Sequence, residues 1–250
     1  MSSAPNQLLK PDFTTSSRHL IFTEEHEQLR ESIATFVKRE LAPHAEEWEK
    51  KGFPNWVFQR MGELGFLGLS YPEQYGGQGG DYYCNLILAE EMVKANSGGL
   101  GTGVAVHTDM ATPPILQFGT EEQKQRYLAP AIRGEKISAL GITEPNAGSD
   151  VAGIKTRAVR DGNEFVINGS KMYITNGARA DFIVLVAKTD PDAGYNGTTL
   201  FIVDTDTPGF IVERKLEKLG LHSSDTTVLA FDDVRAVSYT HLTLPTILRV

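Results

Sequence analysis

From Phe22 to about Lys136, apolar residues recur three and four positions apart, the spacing of helices that each bury one face. Leu29, Ile33, Phe36, Val37 and Leu41 form the first stripe. Thr23 precedes it as a cap, with Glu24 and Glu25 suiting the first turn. Pro43 ends that run, and Trp48 belongs to the next segment. A short helix is predicted over 56–64 with Val57, Met61 and Leu64 aligned, and another opens at Asp81 through Leu86, Ala89 and Val93. Residues 99–118 form a further apolar segment, broken at Pro113-Pro114, and Thr120 stands three residues before Gln123 in capping-box spacing.

From about Ile137 the period shortens to strands bounded by turn signals. Strands are predicted over 154–159, 165–167, 172–174, 182–187, 199–203, 210–213 and 227–231. Asp161-Gly162 and Asn168-Gly169 are both hairpin-type pairs. Helices followed by strands predict an α+β chain: an N-terminal all-α helical bundle over residues 19–136, then a β-barrel or sandwich domain over 137–236. Alternation of the doubly wound kind is absent.

Composition narrows the class. The chain has 250 residues, a net charge of -8 and 22% charged residues, ordinary for a globular protein and unsuited to phosphate-neutralising nucleic-acid binding. No apolar run reaches the length of a membrane span. Cys84 is the sole cysteine, so neither an intrachain disulfide nor a cysteine-based zinc site is expected. The six histidines form no pair around a carboxylate, and no metal site is expected from their spacing. Residues 1–18 are polar with a single Lys10 and read as a disordered leader, which points to a cytoplasmic protein.

The densest polar loop is Thr143-Glu144-Pro145-Asn146-Ala147-Gly148-Ser149-Asp150. Its hydroxyls and glycine-permitted amides can approach a phosphate or the edge of a heterocycle, although capping and turn duties suit the same residues. Lys171-Met172-Tyr173-Ile174-Thr175-Asn176-Gly177 places an aromatic and a hydroxyl two residues apart on one strand face. A strand ending in an Asn-Gly turn explains it equally. Gly99-Leu100-Gly101-Thr102-Gly103 lacks dinucleotide-loop spacing and reads as close helix packing or a turn. His107 beside Thr108 and Asp109 reads as a capped helix end.

Taken together, these motifs resemble the acyl-CoA dehydrogenase family. The run from Gly141 through Thr143, Gly148, Ser149 and Asp150 to Thr156 is similar to its flavin-binding signature, and residues 167–177 follow at the family's distance. Gly62 to Gly68, Pro72 to Gly77, Phe118 to Lys124, Thr207 to Phe210, Lys218 to Gly220 and Phe231 to Arg235 agree in order. The helical half is most similar to long-chain or branched-chain members.

The resemblance implies FAD as cofactor and oxidation of an acyl-CoA thioester to the trans-2-enoyl-CoA. The α-proton goes to a glutamate and the β-hydride to flavin, with electrons passing on to electron-transfer flavoprotein. It implies flavin contacts from Leu140, Gly141, Ile142, Thr143, Gly148 and Ser149, and from Tyr173, Ile174 and Thr175 beside the isoalloxazine. Many members carry Trp where this chain has Tyr173. Substrate contacts are implied at Ser149, Tyr195 and Asn196, and a homo-oligomer, a tetramer, is implied for the full-length protein. The catalytic glutamate belongs to a C-terminal helical domain that is expected to be missing here. After Arg235 the sequence departs from the family, and residues 237–250 read as foreign read-through. The chain alone is therefore expected to be inactive. A non-catalytic flavin- or acyl-CoA-binding module and a related acyl-CoA oxidase remain as alternatives.

Overall fold

The computed structural model describes residues 21–237 and 241–242; the expected leader and most of the expected foreign tail lie outside them. Helix α1 (Glu24–Phe36) begins at a closed capping box, in which Thr23 Oγ1 accepts the His26 N–H and the His26 ring accepts the Thr23 N–H. Ile33, Phe36, Val37 and Leu41 of its predicted stripe are buried. Pro43 sits in a 3-10 turn before α2 (Ala45–Lys51), which buries Trp48. Helix α3 (Trp56–Glu63) buries Val57, Phe58 and Met61, but Leu64 lies past its last turn and stays at the surface.

Helix α4 (Tyr82–Met92) is capped by Asp81, as expected. Its core face is not the predicted one: Ile87, Leu88 and Met92 are buried, whereas Val93 is 61% exposed. The run 86–89 is apolar on every side, so periodicity alone assigns no direction there. Helix α5 (Gly98–Ala105) continues through a π-helical turn (Val106–Ala111). Helix α6 (Pro113–Phe118) places its prolines in the first turn, where an N–H is dispensable. The capping box at Thr120 opens α7 (Glu121–Gln123), and α8 (Ala129–Ile132) ends the helical half. Among the described residues no helix is long and apolar enough to cross a membrane.

The strands are β1 (Ser138–Gly141), β2 (Arg157–Asp161), β3 (Glu164–Thr175), β4 (Phe182–Lys188), β5 (Thr198–Asp204), β6 (Phe210–Lys215), β7 (Thr226–Val237) and β8 (His241–Leu242). They form one mixed sheet in the order β6-β7-β3-β2-β4-β5-β8, with β1 also on β4, the barrel-like form of the expected barrel or sandwich. Asp161-Gly162 makes the predicted hairpin between β2 and β3. Asn168-Gly169 does not: β3 runs straight through it, with a bulge that shifts the register between Ile167 and Gly169. A Cβ on Gly169 would lie 2.6 Å from Thr156 Oγ1, so glycine serves a close approach there.

Strand β4 joins the two halves of the molecule. All seven of its residues are buried. Ile183, Leu185 and Ala187 face the β-core with Phe201 and Leu229, while Phe182 and Val184 pack with Ile115, Tyr127 and Leu128 of the helices. Alternation by two thus feeds two cores from one strand. On one edge of β4, β1 pairs in parallel from Phe182 to Leu185 and β2 meets it at Lys188. The loop 142–156 bridges these two partners.

A polar seam completes the junction. His107 is fully buried; its Nε2–H donates to Ala131 O at 3.0 Å, and its Nδ1 accepts from Ser138 N at 3.1 Å and Ser138 Oγ at 2.9 Å. Burial pushes its imidazole down to about 4, opposed only by the bond to Ala131 O, so the ring is neutral. His107 therefore clasps α8 to β1 and is no helix cap. Asn176, in left-handed backbone at φ 64, donates to Gly103 O at 2.8 Å and to Ser138 O at 3.3 Å.

Candidate functional site

The loop leaving β1 is held by its carbonyls and one carboxylate. Thr143 O accepts the Met172 N–H at 2.8 Å, and Ile142 O accepts Lys171 Nζ at 2.8 Å. Glu144 and Ala147 exchange backbone hydrogen bonds across Pro145 and Asn146. The Glu144 carboxylate is buried and takes three donors: Lys171 Nζ at 2.8 Å, Lys155 N at 2.6 Å and Thr156 N at 2.9 Å. Burial alone would raise its carboxyl, but Lys171, Thr156 and the two amides outweigh that and hold it below the usual range. For Lys171, burial wins over Glu144 and lowers the ammonium from its ordinary value.

Donors face outward. Among the described residues, the N–H groups of Thr143, Gly148 and Ser149 and the hydroxyls of Thr143, Ser149 and Thr175 have no partner in the chain. A Cβ on Gly148 would meet nothing within 4 Å, and Gly148 has no positive φ. Neither its backbone nor its packing demands glycine, and the space beside it is open. The donor set suits an acceptor-rich group such as a pyrophosphate or the edge of a flavin.

Tyr173 stands next to this loop on β3. Its register is irregular: Met172 pairs with Val228 and Ile174 with Thr227, leaving Tyr173 as the bulged residue. It holds φ at 61, a left-handed conformation that is costly for an aromatic residue, and its side chain is 62% exposed. The plain strand predicted through 172–174 is thus broken where the expected flavin contact lies.

The expected contacts divide into two groups. Thr143, Gly148, Ser149, Tyr173 and Thr175 present groups to solvent. Gly141 is buried and lets β1 approach β4, since a Cβ would meet Ile183 Cδ1 at 2.8 Å. Ile174 is buried in the β-core, Leu140 packs against the helical core, and Ile142 packs with Ala147 and Ile154. For these four, the backbone is what remains to meet a ligand. Tyr195 and Asn196 lie in the turn Gly194–Gly197, which packs against Val151–Gly153 at the far end of the Ser149 loop.

A cavity of about 410 Å³, invisible to periodicity, lies between α4 and α5. Leu88, Ala89, Met92, Val93, Gly101 and Ala105 line it. Ala89 and Val93 belong to the stripe misassigned to the core. The glycines of α5 divide by role: a Cβ on Gly99 would strike Ser223 Oγ at 2.4 Å and one on Gly103 the Phe53 ring at 2.7 Å, whereas one on Gly101 meets nothing within 4 Å. Of the two roles expected for this run, close helix packing or a turn, close packing holds for the first and last of the three.

His26, Asp81 and Cys84 bring potential metal-ligand atoms within 4.8 Å of one another, a cluster that histidine spacing did not reveal. Helix caps explain it. Asp81 Oδ1 accepts from Tyr83 N, Cys84 N and His26 Nε2, while His26 Nδ1 accepts the Thr23 N–H. A metal on Nε2 would require the proton on Nδ1 and so break the α1 cap.

Comparison with known proteins places this arrangement. A structure of acyl-CoA dehydrogenase from Geobacillus kaustophilus superposes with a TM-score of 0.87 at 43% identity, covering 91% of this chain and 60% of that one. Glutaryl-CoA dehydrogenase from Mycobacterium smegmatis, solved in complex with FADH2, gives 0.83 at 33% identity, covering 90% and 56%. An acyl-CoA dehydrogenase of Bacillus subtilis is 42% identical over 212 residues, 84% of this chain and 56% of the relative. The chain spans 50% to 59% of the length of the curated relatives it matches. The family descriptions "Acyl-CoA dehydrogenase, N-terminal domain" and "Acyl-CoA dehydrogenase, middle domain" match residues 23–135 and 139–234. With the helical half, the sheet and the loop between β1 and β2 all in family order, the chain belongs to the acyl-CoA dehydrogenase family.

Proposed function

We propose that this chain forms the helical (residues 19–136) and flavin-binding (residues 137–236) parts of an FAD-dependent acyl-CoA dehydrogenase. The reaction is oxidation of an acyl-CoA to its trans-2-enoyl-CoA, with electrons passing to electron-transfer flavoprotein. The observation that carries the reading is the set of unclaimed donors on Thr143, Gly148 and Ser149 beside a strained, exposed Tyr173.

In this reading the loop amides and hydroxyls bind the acceptor edge of FAD, and Tyr173 covers a flat face. Thr175 donates a hydrogen bond at the flavin edge, and Ser149 also reaches the thioester-CoA. Tyr195 and Asn196 contact the CoA moiety from the adjoining turn. The acyl chain lies in the apolar cavity between α4 and α5. Asn176, next to Thr175, hydrogen-bonds Gly103 O of α5, the helix that walls this cavity. When bound, the flavin supplies the hydride acceptor.

Titration of the chain with FAD, followed by quenching of flavin fluorescence, tests the reading. Saturable binding at one equivalent is expected, weakened by Thr175→Val with little change in folding. Absence of any binding would overturn it.

A further inference from the structure

The loop that presents the donors carries an acid, Glu144, whose charge would repel an anionic or acceptor-rich ligand if it faced outward. It does not face outward. Glu144 is 7% exposed and lies on Lys171, which is fully buried. The Lys171 ammonium reaches both the loop's entry, at Ile142 O, and the Glu144 carboxylate, each at 2.8 Å. Through that carboxylate it also reaches the loop's exit, because Glu144 accepts the amides of Lys155 and Thr156. One ion pair thus ties entry to exit in a segment that is also held by Met172 N–H to Thr143 O, Lys188 N–H to Thr156 O, the 144–147 bridge and two short turns, Gly153 N–H to Asp150 O and Ile154 N–H to Val151 O.

The energetics sharpen the point. An apolar pair of similar volume fills a buried site at no desolvation cost and is often as stable as an ion pair. What an apolar pair cannot do is satisfy Ile142 O and turn a carboxylate inward. The position on β3 matters too: Lys171 points in, Met172 N–H fixes Thr143 O, and Tyr173 points out. Three consecutive residues therefore set the loop and the aromatic beside it.

We propose that Lys171 is a positioning residue whose buried ion pair with Glu144 holds loop 142–156 in its donor-presenting form before any ligand arrives. The proposal rests on the flavin reading for the identity of the ligand, but the formed loop is a property of the free chain. Such preorganisation lowers the ordering cost of binding.

The test compares the chain with Lys171→Met/Glu144→Gln, which removes both charges together and so leaves no unpaired buried charge. Hydrogen exchange without ligand is expected to be faster at the Lys155 and Thr156 amides by about tenfold or more, the effect of losing a charged hydrogen bond, with amides of β4 and β5 unchanged. Wild-type rates in the loop, or an equal acceleration throughout the sheet, would overturn the proposal. Lys171→Leu/Glu144→Gln, which likewise removes both charges, serves the same comparison should the first double variant fail to fold. FAD titration of both proteins adds the functional arm, with affinity expected to fall by about tenfold or more in the variant. Equal affinities would also overturn the proposal. Failure of the wild-type chain to bind FAD would sink the flavin reading instead, while the exchange rates still decide on Lys171.

Discussion

The seam between helices and sheet and the face of loop 142–156 meet at the two ends of β1, yet they treat polar groups in opposite ways. In the seam, His107 has both ring nitrogens engaged, and Ser97 answers both Glu49 and Ser223, at 2.7 and 2.6 Å. The exception is Asn176 Oδ1, buried without a partner. On the face, the carbonyls of Ile142 and Thr143 and the one buried carboxylate are satisfied, while the N–H groups of Thr143, Gly148 and Ser149 have no partner among the described residues. Buried polar groups must be answered from within, and exposed donors need not be. Internal completeness is the mark of structure here, and open donors beside an exposed aromatic are the mark of a candidate site.

If that contrast is right, disturbing the seam costs stability and disturbing the face costs binding. The largest expected effect is at His107. Its folded value of about 4 lies below the ordinary 6.5, so over that interval the unfolded chain takes up a proton the folded chain refuses. Stability is complete above about pH 6.5 and is lost as pH falls toward 4, by about 3 kcal/mol in total. Denaturation midpoints from pH 7.5 down to 4.5 should show this slope, and His107→Gln should flatten it. Glu144 and Asp81, both held below their ordinary values, give up their contributions at lower pH still. A wild-type slope retained in His107→Gln would remove the histidine from the seam's account.

Next in size, Gly99→Ala should cost about 1–3 kcal/mol by overpacking against Ser223 and the Ser224 amide. Gly101→Ala, two residues along the same helix, should stabilise by up to about 1 kcal/mol, because its methyl enters open space and a helical glycine is replaced. Equal effects at the two sites, read by urea denaturation, would dissolve the distinction between packing glycine and cavity glycine. Smallest of all on stability is Ser149→Ala, exposed and unpartnered, expected within about 0.5 kcal/mol. Its effect should appear in FAD affinity alone.

Local chemistry made part of this legible in advance. The Thr23 and Thr120 caps, the Asp161-Gly162 hairpin and the donor-rich loop depend on residues a few positions apart, and they stand where the sequence placed them. Asn168-Gly169 carries the same local signal as a hairpin and became a bulge, because the approach of Thr156 decided the matter. The face of α4 was misassigned because residues 86–89 are apolar all round, and the α4–α5 cavity depends on how two helices meet. Lys171 was hidden for a related reason: lysines are seldom buried, and its partner lies 27 residues away.

The pairing of β3 with β7 has a consequence for the order of assembly. Glu164 pairs with Val237 and Thr175 with Thr226, so the strand bearing Lys171 and Tyr173 gains one neighbour only after nearly all of the β half has been synthesised. Contacts so distant in sequence form slowly, whereas the capped helices rely on near neighbours. The helical half therefore has time to collapse while β3 still waits with an unpaired edge. The surface that presents donors to a ligand is then expected to take shape later than the helices, an order that pulse-labelled hydrogen exchange during refolding would read.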